Sequence, residues 1–129
     1  EYNHLLNNIE ARKAKFLAYD LLKSFGKISK YAPYDLIILD PPFDQSSFSL
    51  VRDLNKVLRR LPSLLAHRGK VLVAVNSPHH NWDEAWQLIV PHLTQEFKLI
   101  GKLSAPSEFV ETEEGRGLKI FLLDYQRSQ

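Results

Sequence analysis

One stretch of the sequence restricts the fold more than any other: the aliphatic run YDLIIL at residues 34–39. An almost unbroken run of aliphatic residues between turn residues is typical of a strand that is buried on both faces. Such strands occur in parallel sheets that are covered by helices. We therefore predict an α/β fold around this strand.

The rest of the chain alternates apolar strands with amphipathic helices, which agrees with that fold class. Strands are predicted at residues 15–20, 34–39, 70–76, 97–103 and 118–125. Helices are predicted at residues 2–14, from about 47 to 61, and 81–93, with a short helix or turn at 21–28. The last two strands are joined only by a loop, so they must be antiparallel if they are neighbours.

Composition sets limits on function. The chain has 129 residues and a formal charge of +2, which permits a nucleic-acid partner without indicating one. No run of about 18 apolar residues exists, so we expect no membrane span. The absence of cysteine excludes disulfides, thiolate metal sites and a cysteine nucleophile within this sequence, and it fits a cytoplasmic location.

The tetrapeptide Asp40-Pro41-Pro42-Phe43 follows the best strand directly. Ligands of open α/β sheets bind at the carboxyl ends of the strands, where this tetrapeptide is expected. The proline carbonyls and the Asp40 carboxylate could accept both hydrogens of a planar amino group, leaving the nitrogen lone pair aimed at an electrophile. Phe43 offers a ring for a heterocycle to stack on. The simpler alternative is a strand cap made rigid by two prolines.

The sequence DLIILDPPF resembles the (Asp/Asn/Ser)-Pro-Pro-(Tyr/Phe/Trp) motif of class I S-adenosylmethionine-dependent methyltransferases. LAYD resembles the third strand of that family, LLAHRGKVLVAV its fifth-strand unit with a turn glycine, and SEFVETEEGRGLKIFLL the tail of the ribosomal RNA large-subunit methyltransferases. The resemblance implies a Rossmann-like, mostly parallel sheet with helices on both faces and a C-terminal antiparallel strand pair. It also implies S-adenosylmethionine as cofactor and RNA, specifically rRNA, as substrate.

Site residues follow from the same resemblance. Asp40, Pro41, Pro42 and Phe43 are implied to be catalytic, and Asp20 with Leu21 to bind the cofactor, with Asp20 contacting the adenine amino group. An N-cap on the following helix is the alternative role for Asp20. Because some relatives methylate a pyrimidine carbon through a cysteine, the lack of cysteine favours an exocyclic nitrogen as the target.

The chain also departs from the family pattern. The family places a glycine-rich cofactor loop after its first strand, whereas the close pair Gly115 and Gly117 precedes a strand here. We therefore interpret residues 1–129 as the C-terminal part of a methyltransferase domain that lacks its first two strands. The family sheet order is 3-2-1-4-5-7-6, so the strand at 34–39 should have a free edge. Either the strand KFLAY at 15–19 shifts to pair with that edge, or two chains pair there as a homodimer, which is the outcome we favour. We also expect the isolated chain to be inactive.

Two other functions fit parts of the sequence. A response-regulator receiver places a phosphoacceptor aspartate after such a strand, as Asp40 would be, although two prolines remove the backbone donors that a phosphoryl group needs. A non-enzymatic, methyltransferase-like module that binds a partner is the other alternative.

Further polar and aromatic residues have simple explanations. His79 and His80 could suggest a metal site with Asp83 and Glu84, but adjacent histidines should point apart and the acids should begin a helix, so we predict no metal. Asn81 and Glu84 form a predicted capping box. Trp82 and Trp86 lie four residues apart on an apolar helix face, which favours core packing over base stacking.

Charged residues form two groups. Arg52, Lys56, Arg59 and Arg60 make a basic stripe on the helix that begins near residue 47, which indicates a solvated face or, less simply, an RNA contact. The acidic group, at Glu111, Glu113 and Glu114, should form a solvated loop that repels RNA.

Overall fold

A computed structural model describes residues 2–8, 10, 14–111 and 113–128. The strands are β1 (Tyr34–Leu39), β2 (Asp44–Gln45), β3 (Phe48–Ser49), β4 (Leu65–Asn76), β5 (Phe97–Ser104) and β6 (Leu118–Tyr125). The helices are α1 (Tyr2–Leu6), α2 (Phe25–Ile28), α3 (Leu50–Leu58), α4 (Leu61–Leu64) and α5 (Trp82–Gln87), with 3-10 turns at Leu21–Lys23, Ser29–Tyr31 and Val90–His92.

Four strands form one mixed sheet in the order β1-β4-β6-β5. Strand β1 is parallel to β4, with Ile37 opposite Val71, and β6 is antiparallel to both β4 and β5. This order corresponds to the 4-5-7-6 part of the expected family sheet. The antiparallel pairing of the last two strands is therefore confirmed. Strands β2 and β3 form a separate two-residue hairpin.

The apolar core lies between one face of this sheet and the helices. Val71, Val73 and Phe121 on the sheet are fully buried in one cluster with residues of α3, α4 and α5. The predicted apolar face of that helical region is confirmed, because all five of its residues are buried, namely Leu50, Leu54, Val57, Leu58 and Leu61. Alternate burial along β6 has the period of two that a strand requires.

Strand β1 differs from its prediction in burial. Its side chains Ile37 and Leu39 pack against the core, but Leu36 is 51% and Ile38 63% exposed. The expectation of burial on both faces was wrong for these two residues because β1 is an edge strand here, paired on one side only. The predicted free edge is confirmed within the described residues.

The predicted strand at residues 15–20 does not form. Residues 14–20 have no strand assignment and Phe16 and Tyr19 are exposed. An apolar run shows that a segment can serve as a strand, but a strand also needs a neighbour to satisfy its backbone groups. The helix predicted over residues 2–14 extends only from Tyr2 to Leu6 in the described part, and positions 9 and 11–13 lie outside it.

The junction before β4 is tightly packed. Arg68 has a φ of 68°, so the left-handed residue is Arg68 and not the turn glycine predicted at position 69. Gly69 is required for a different reason, since a Cβ there would lie 3.0 Å from the Ala66 carbonyl oxygen and 3.1 Å from that of Tyr34. The chain bulges here, because Tyr34 pairs with Leu65 while Leu36 pairs with Lys70.

Helix α5 begins as predicted but is shorter. The Asn81 side chain accepts hydrogen bonds from the backbone N–H groups of Asp83 and Glu84, and Glu84 accepts one from the Asn81 N–H, so the capping box is confirmed. The helix ends at Gln87 and a 3-10 turn includes Pro91, which cannot continue an α-helix. Trp82 and Trp86 both pack on the Phe121 ring, which confirms their core role.

Candidate functional site

The Asp-Pro-Pro-Phe elbow (Asp40–Phe43) leaves the carboxyl end of β1. The backbone N–H of Leu50 donates to the Phe43 carbonyl at 2.9 Å, which ties the elbow to the first residue of α3. Asp40 is exposed, whereas the other three residues are half-buried. Among the described residues, no hydrogen bond is made to the Asp40 carboxylate or to the carbonyls of Pro41 and Pro42. The elbow therefore presents free acceptors on a rigid backbone.

A cleft of about 670 Å³ lies along the free edge of β1. It brings together three elbow residues, Asp40, Pro41 and Pro42, with both residues assigned to the cofactor, Asp20 and Leu21. Its remaining walls are mainly apolar, including Phe25, Ile28 and Leu54. Five of the six sequence-predicted site residues thus line one cleft.

Asp20 caps the turn that follows it. Its Oδ1 accepts the Leu22 N–H at 2.9 Å, and its Oδ2 lies 3.8 Å from the exposed Lys23 ammonium. The Ser24 hydroxyl donates to the Asp20 carbonyl and fixes the backbone there. The N-cap role proposed as an alternative is therefore present. A carboxylate has about four acceptor positions, so the cap leaves Asp20 able to accept a further hydrogen bond.

Phe43 faces away from this first cleft. Its ring centroid lies 5.2 Å from that of His79 and 6.1 Å from that of His80. The expectation that the adjacent histidines point apart was wrong, since both rings reach Phe43. A second cleft of about 750 Å³ lies beyond His79, lined among others by Pro106, Phe109 and Arg116. The elbow therefore lines the first cleft and contacts, through the Phe43 ring, a histidine that lines the second.

The loop that carries these histidines, Ser77–His80, follows β4. Ser77 is fully buried, and its Oγ lies 2.7 Å from His80 Nδ1 and accepts the His79 N–H at 3.2 Å. Burial is the main cause that lowers the pKa of the His80 imidazole below its ordinary value. The Lys119 ammonium donates to the Ser77 carbonyl at 3.1 Å.

Sequence reasoning missed Lys119 and the structural importance of Ser77. A signal for Lys119 exists in the strand pattern: positions 119, 121, 123 and 125 share one face of β6, and the other three are Phe121, Leu123 and Tyr125. A lysine in such a set is expected to be buried. Burial is the main cause that lowers its pKa.

The basic stripe is partly occupied by an internal contact. Arg52 and Lys56 both bind the carboxylate of Asp53, which is buried and also accepts the Ser49 N–H at 2.9 Å. Hydrogen bonds from Arg52 and Lys56 hold the pKa of Asp53 well below its usual range. Two of the four stripe residues thus pair with Asp53 on their own helix, and the Asp53 carboxylate joins α3 to Ser49 of β3.

The acidic group Glu111, Glu113 and Glu114 is only partly solvated, contrary to its prediction. Glu111 accepts the Gly115 N–H at 2.7 Å and packs against Gly117, so it is an internal brace and not a solvated charge. Glu113 pairs with Arg116 at 3.2 Å. The glycine pair precedes β6, as expected from the sequence.

Two further features, a metal centre and a membrane-spanning helix, are absent from the described residues. No group of three or more histidine, cysteine, aspartate or glutamate side chains is arranged to hold a metal ion there. Within the same part of the chain, no helix combines the length and apolar character needed to cross a bilayer.

The fold and the clefts together define a Rossmann-like α/β domain with a cleft at the carboxyl end of a parallel strand, where ligands of such sheets bind. A receiver domain is excluded by the sheet, because that fold is wound from parallel strands and β6 here is antiparallel to both neighbours.

Two solved structures that share this fold are described as methyltransferases. The protein SMU.776, described as a methyltransferase and crystallised with SAH, has a TM-score of 0.83 and 21% identity, over 95% of this chain and 34% of that chain. A SAM-dependent methyltransferase from Streptococcus mutans has a TM-score of 0.81 and 22% identity over the same shares. This chain thus spans about a third of each, and the likeness establishes the fold.

Sequence comparison identifies the family. The family described as S-adenosylmethionine-dependent methyltransferase matches residues 1–124. Ribosomal RNA large subunit methyltransferase K/L from Aeromonas hydrophila is 35% identical over 89 residues, covering 64% of this chain and 12% of that protein. The Buchnera aphidicola protein of the same name is 36% identical over 76 residues, covering 54% and 11%. The chain belongs to the S-adenosylmethionine-dependent methyltransferase family.

Proposed function

We propose that the complete protein containing this chain transfers a methyl group from S-adenosylmethionine to an exocyclic amino nitrogen of an RNA base. The observation that carries this proposal is that the elbow lines the first cleft and contacts His79, which lines the second. Asp40, Pro41 and Pro42 line the first cleft together with Asp20, and Phe43 faces the second through His79. A cofactor in the first cleft and a base in the second would meet at the elbow.

The first cleft suits the adenine end of S-adenosylmethionine. Asp20 has acceptor capacity beyond its cap bond and could accept the adenine amino group. Leu21 and Phe25 supply apolar surface for the ring on the same wall. When bound, S-adenosylmethionine supplies an electrophilic methyl group on a sulfonium.

The elbow residues have separate tasks in this proposal. The Asp40 carboxylate and the Pro41 carbonyl accept the two hydrogens of the target amino group and hold its plane fixed. This orientation leaves the nitrogen lone pair directed towards the first cleft, and positioning of this kind accounts for a large part of many rate enhancements. Asp40 then takes up the proton that the methylated nitrogen loses. Phe43 stacks on the target base.

Ribosomal RNA is the substrate class we favour. The matched curated relatives are named as ribosomal RNA large subunit methyltransferases. Such a substrate would place the reaction in the cytoplasm. Arg59 and Arg60, the stripe residues that do not bind Asp53, are exposed and available for phosphate contacts.

The test is methyl transfer by the complete protein to unmodified large-subunit rRNA, followed by nucleoside analysis. Asp40→Ala should reduce turnover by about 100-fold or more, because positioning and proton transfer are both lost. Asp35→Ala is the matched control, since Asp35 is exposed on the same strand and outside both clefts. Near-normal turnover in Asp40→Ala, or a methyl group on carbon, would refute the proposed role of the elbow.

The isolated chain is proposed to lack activity and to associate with itself. Asp20 and Leu21 support the proposed adenine subsite, but the glycine-rich loop of the family is not in this sequence. The free edge of β1, with Leu36 and Ile38 exposed, leaves backbone hydrogen-bonding groups open to a second copy. We propose a homodimer formed edge to edge through β1.

A further inference from the structure

Two cations at the start of β6, beside the end of β4, donate to successive carbonyls of the loop Ser77–His80. Lys119, the second residue of β6, donates to the Ser77 carbonyl at 3.1 Å. Arg116, just before β6, donates to the Pro78 carbonyl at 3.3 Å. The two donors are separated from their acceptors by about forty positions in the sequence, so these bonds join distant parts of the chain.

Lys119 is an unexpected residue for its position. It is 0% exposed, and within the described residues no carboxylate lies within ion-pair distance of its ammonium. Its second acceptor is the Gly117 carbonyl. Burying an ammonium without a charged partner costs free energy that an apolar residue would not. Because its neighbours on the face are apolar, packing alone would favour methionine or leucine here.

The loop that Lys119 holds contacts the elbow through its histidine rings. The Ser77 hydroxyl fixes His80 and the His79 backbone, and the His79 ring then lies 5.2 Å from the Phe43 ring. We infer that Lys119 is a positioning residue, which fixes Ser77–His80 so that His79 and Phe43 form one wall for the target base. The role of this wall in binding a base rests on the proposed function, whereas the contact between the His79 and Phe43 rings does not.

Loss of the hydrogen bond from Lys119 to the Ser77 carbonyl should misplace the wall formed by His79 and Phe43 without unfolding the domain. Lys119→Met keeps a similar length and removes both the charge and the donor. Replacement of a buried charge by an apolar residue is often neutral or stabilising. A 1 Å misplacement at a reacting centre costs about 100-fold in rate. We therefore expect Lys119→Met to fold stably but to position the target base poorly.

The first measurement is structural and uses the complete protein with ¹³C-labelled histidine. The His79 ring signal, assigned through His79→Gln, should show a ring-current shift that is lost in Phe43→Leu. We expect the same loss in Lys119→Met and retention in Lys98→Met, a matched control in which the exposed lysine lies on β5. An unchanged His79 signal in folded Lys119→Met would overturn the inference.

The second measurement is kinetic. Lys119→Met should lower kcat for RNA by up to about 100-fold while the Kd for S-adenosylmethionine stays unchanged. Arg116→Gln, at a half-buried site, should also remove the His79 ring-current shift and lower kcat for RNA. This variant provides the test if Lys119→Met does not fold. A lost His79 shift with normal RNA turnover would also overturn the role. Normal turnover in Asp40→Ala would instead remove the proposed function and leave the His79 result standing.

Discussion

Substitution of Gly69 tests how strictly the β1–β4 junction is built. In Gly69→Ala the new Cβ would lie 3.0 Å from the Ala66 oxygen, 3.0 Å from Leu65 Cδ2 and 3.1 Å from the Tyr34 oxygen. Two of these three atoms belong to the backbone, so they cannot move aside as a side chain would. Overpacking of this kind costs about 1–3 kcal/mol, and we expect about 2 kcal/mol here. That corresponds to about a 30-fold fall in the folding equilibrium constant.

Urea unfolding followed by tryptophan fluorescence measures this loss, because Trp82 and Trp86 pack on the core residue Phe121. All variants must be compared at one protein concentration, since association shifts apparent stability. The midpoint should fall in Gly69→Ala while the slope stays unchanged.

Two other glycines provide matched controls. In Gly101→Ala the nearest atom is Leu122 Cβ at 3.7 Å, an ordinary contact, and near Gly26 no heavy atom lies within 4 Å of the new Cβ. Neither site has a positive φ. Alanine should therefore be neutral or stabilising by up to about 1 kcal/mol at both. If Gly69→Ala unfolded at the same urea concentration as Gly101→Ala, the steric reasoning would be refuted.

Three further predictions concern the charges, the cofactor and the edge. The pKa of Asp53 is held below its ordinary value of 3.8, so its stabilising contribution is complete above that pH and is lost as the pH falls towards the folded-state pKa. Asp53→Asn should lower stability at neutral pH, with the gap to the parent protein closing below about pH 4; a gap independent of pH would contradict this. Calorimetry should detect weak or no binding of S-adenosylmethionine by the isolated chain, and micromolar affinity would refute that expectation. Sedimentation should show a concentration-dependent dimer that Ile38→Lys abolishes, whereas a monomer at every concentration would exclude edge pairing.

The strands and the position of the elbow could be predicted because they depend on local pattern. The aliphatic run at 34–39 predicted a strand, and the alternation in β6 also matches which of its side chains are buried. The carboxyl ends of parallel strands lie at the same edge of a sheet. The position of the elbow at that edge could therefore be predicted from the topology alone. The strand predicted at 15–20 failed because pairing needs a neighbour, and no sequence pattern within a segment specifies its neighbour.

The contacts of the loop Ser77–His80 could not be predicted in the same way. The bond from Lys119 to Ser77 joins residues 42 positions apart and depends on the register of β4 against β6. His79 reaches Phe43 only because that loop is fixed. A lysine among alternating apolar residues signals burial, but it does not identify the acceptor.

The order of strands in the sheet has a consequence for synthesis on the ribosome. Strand β6 is made last of the four, yet it lies between β4 and β5 and supplies Phe121 and Leu123 to the core. Until β6 has emerged, β4 has an unpaired edge and β5 has no neighbour at all. A nascent chain that ends before Leu118 therefore carries aliphatic strands without partners, the kind of species that chaperones bind and that aggregates when they do not. Folding of this sheet must wait for its last strand.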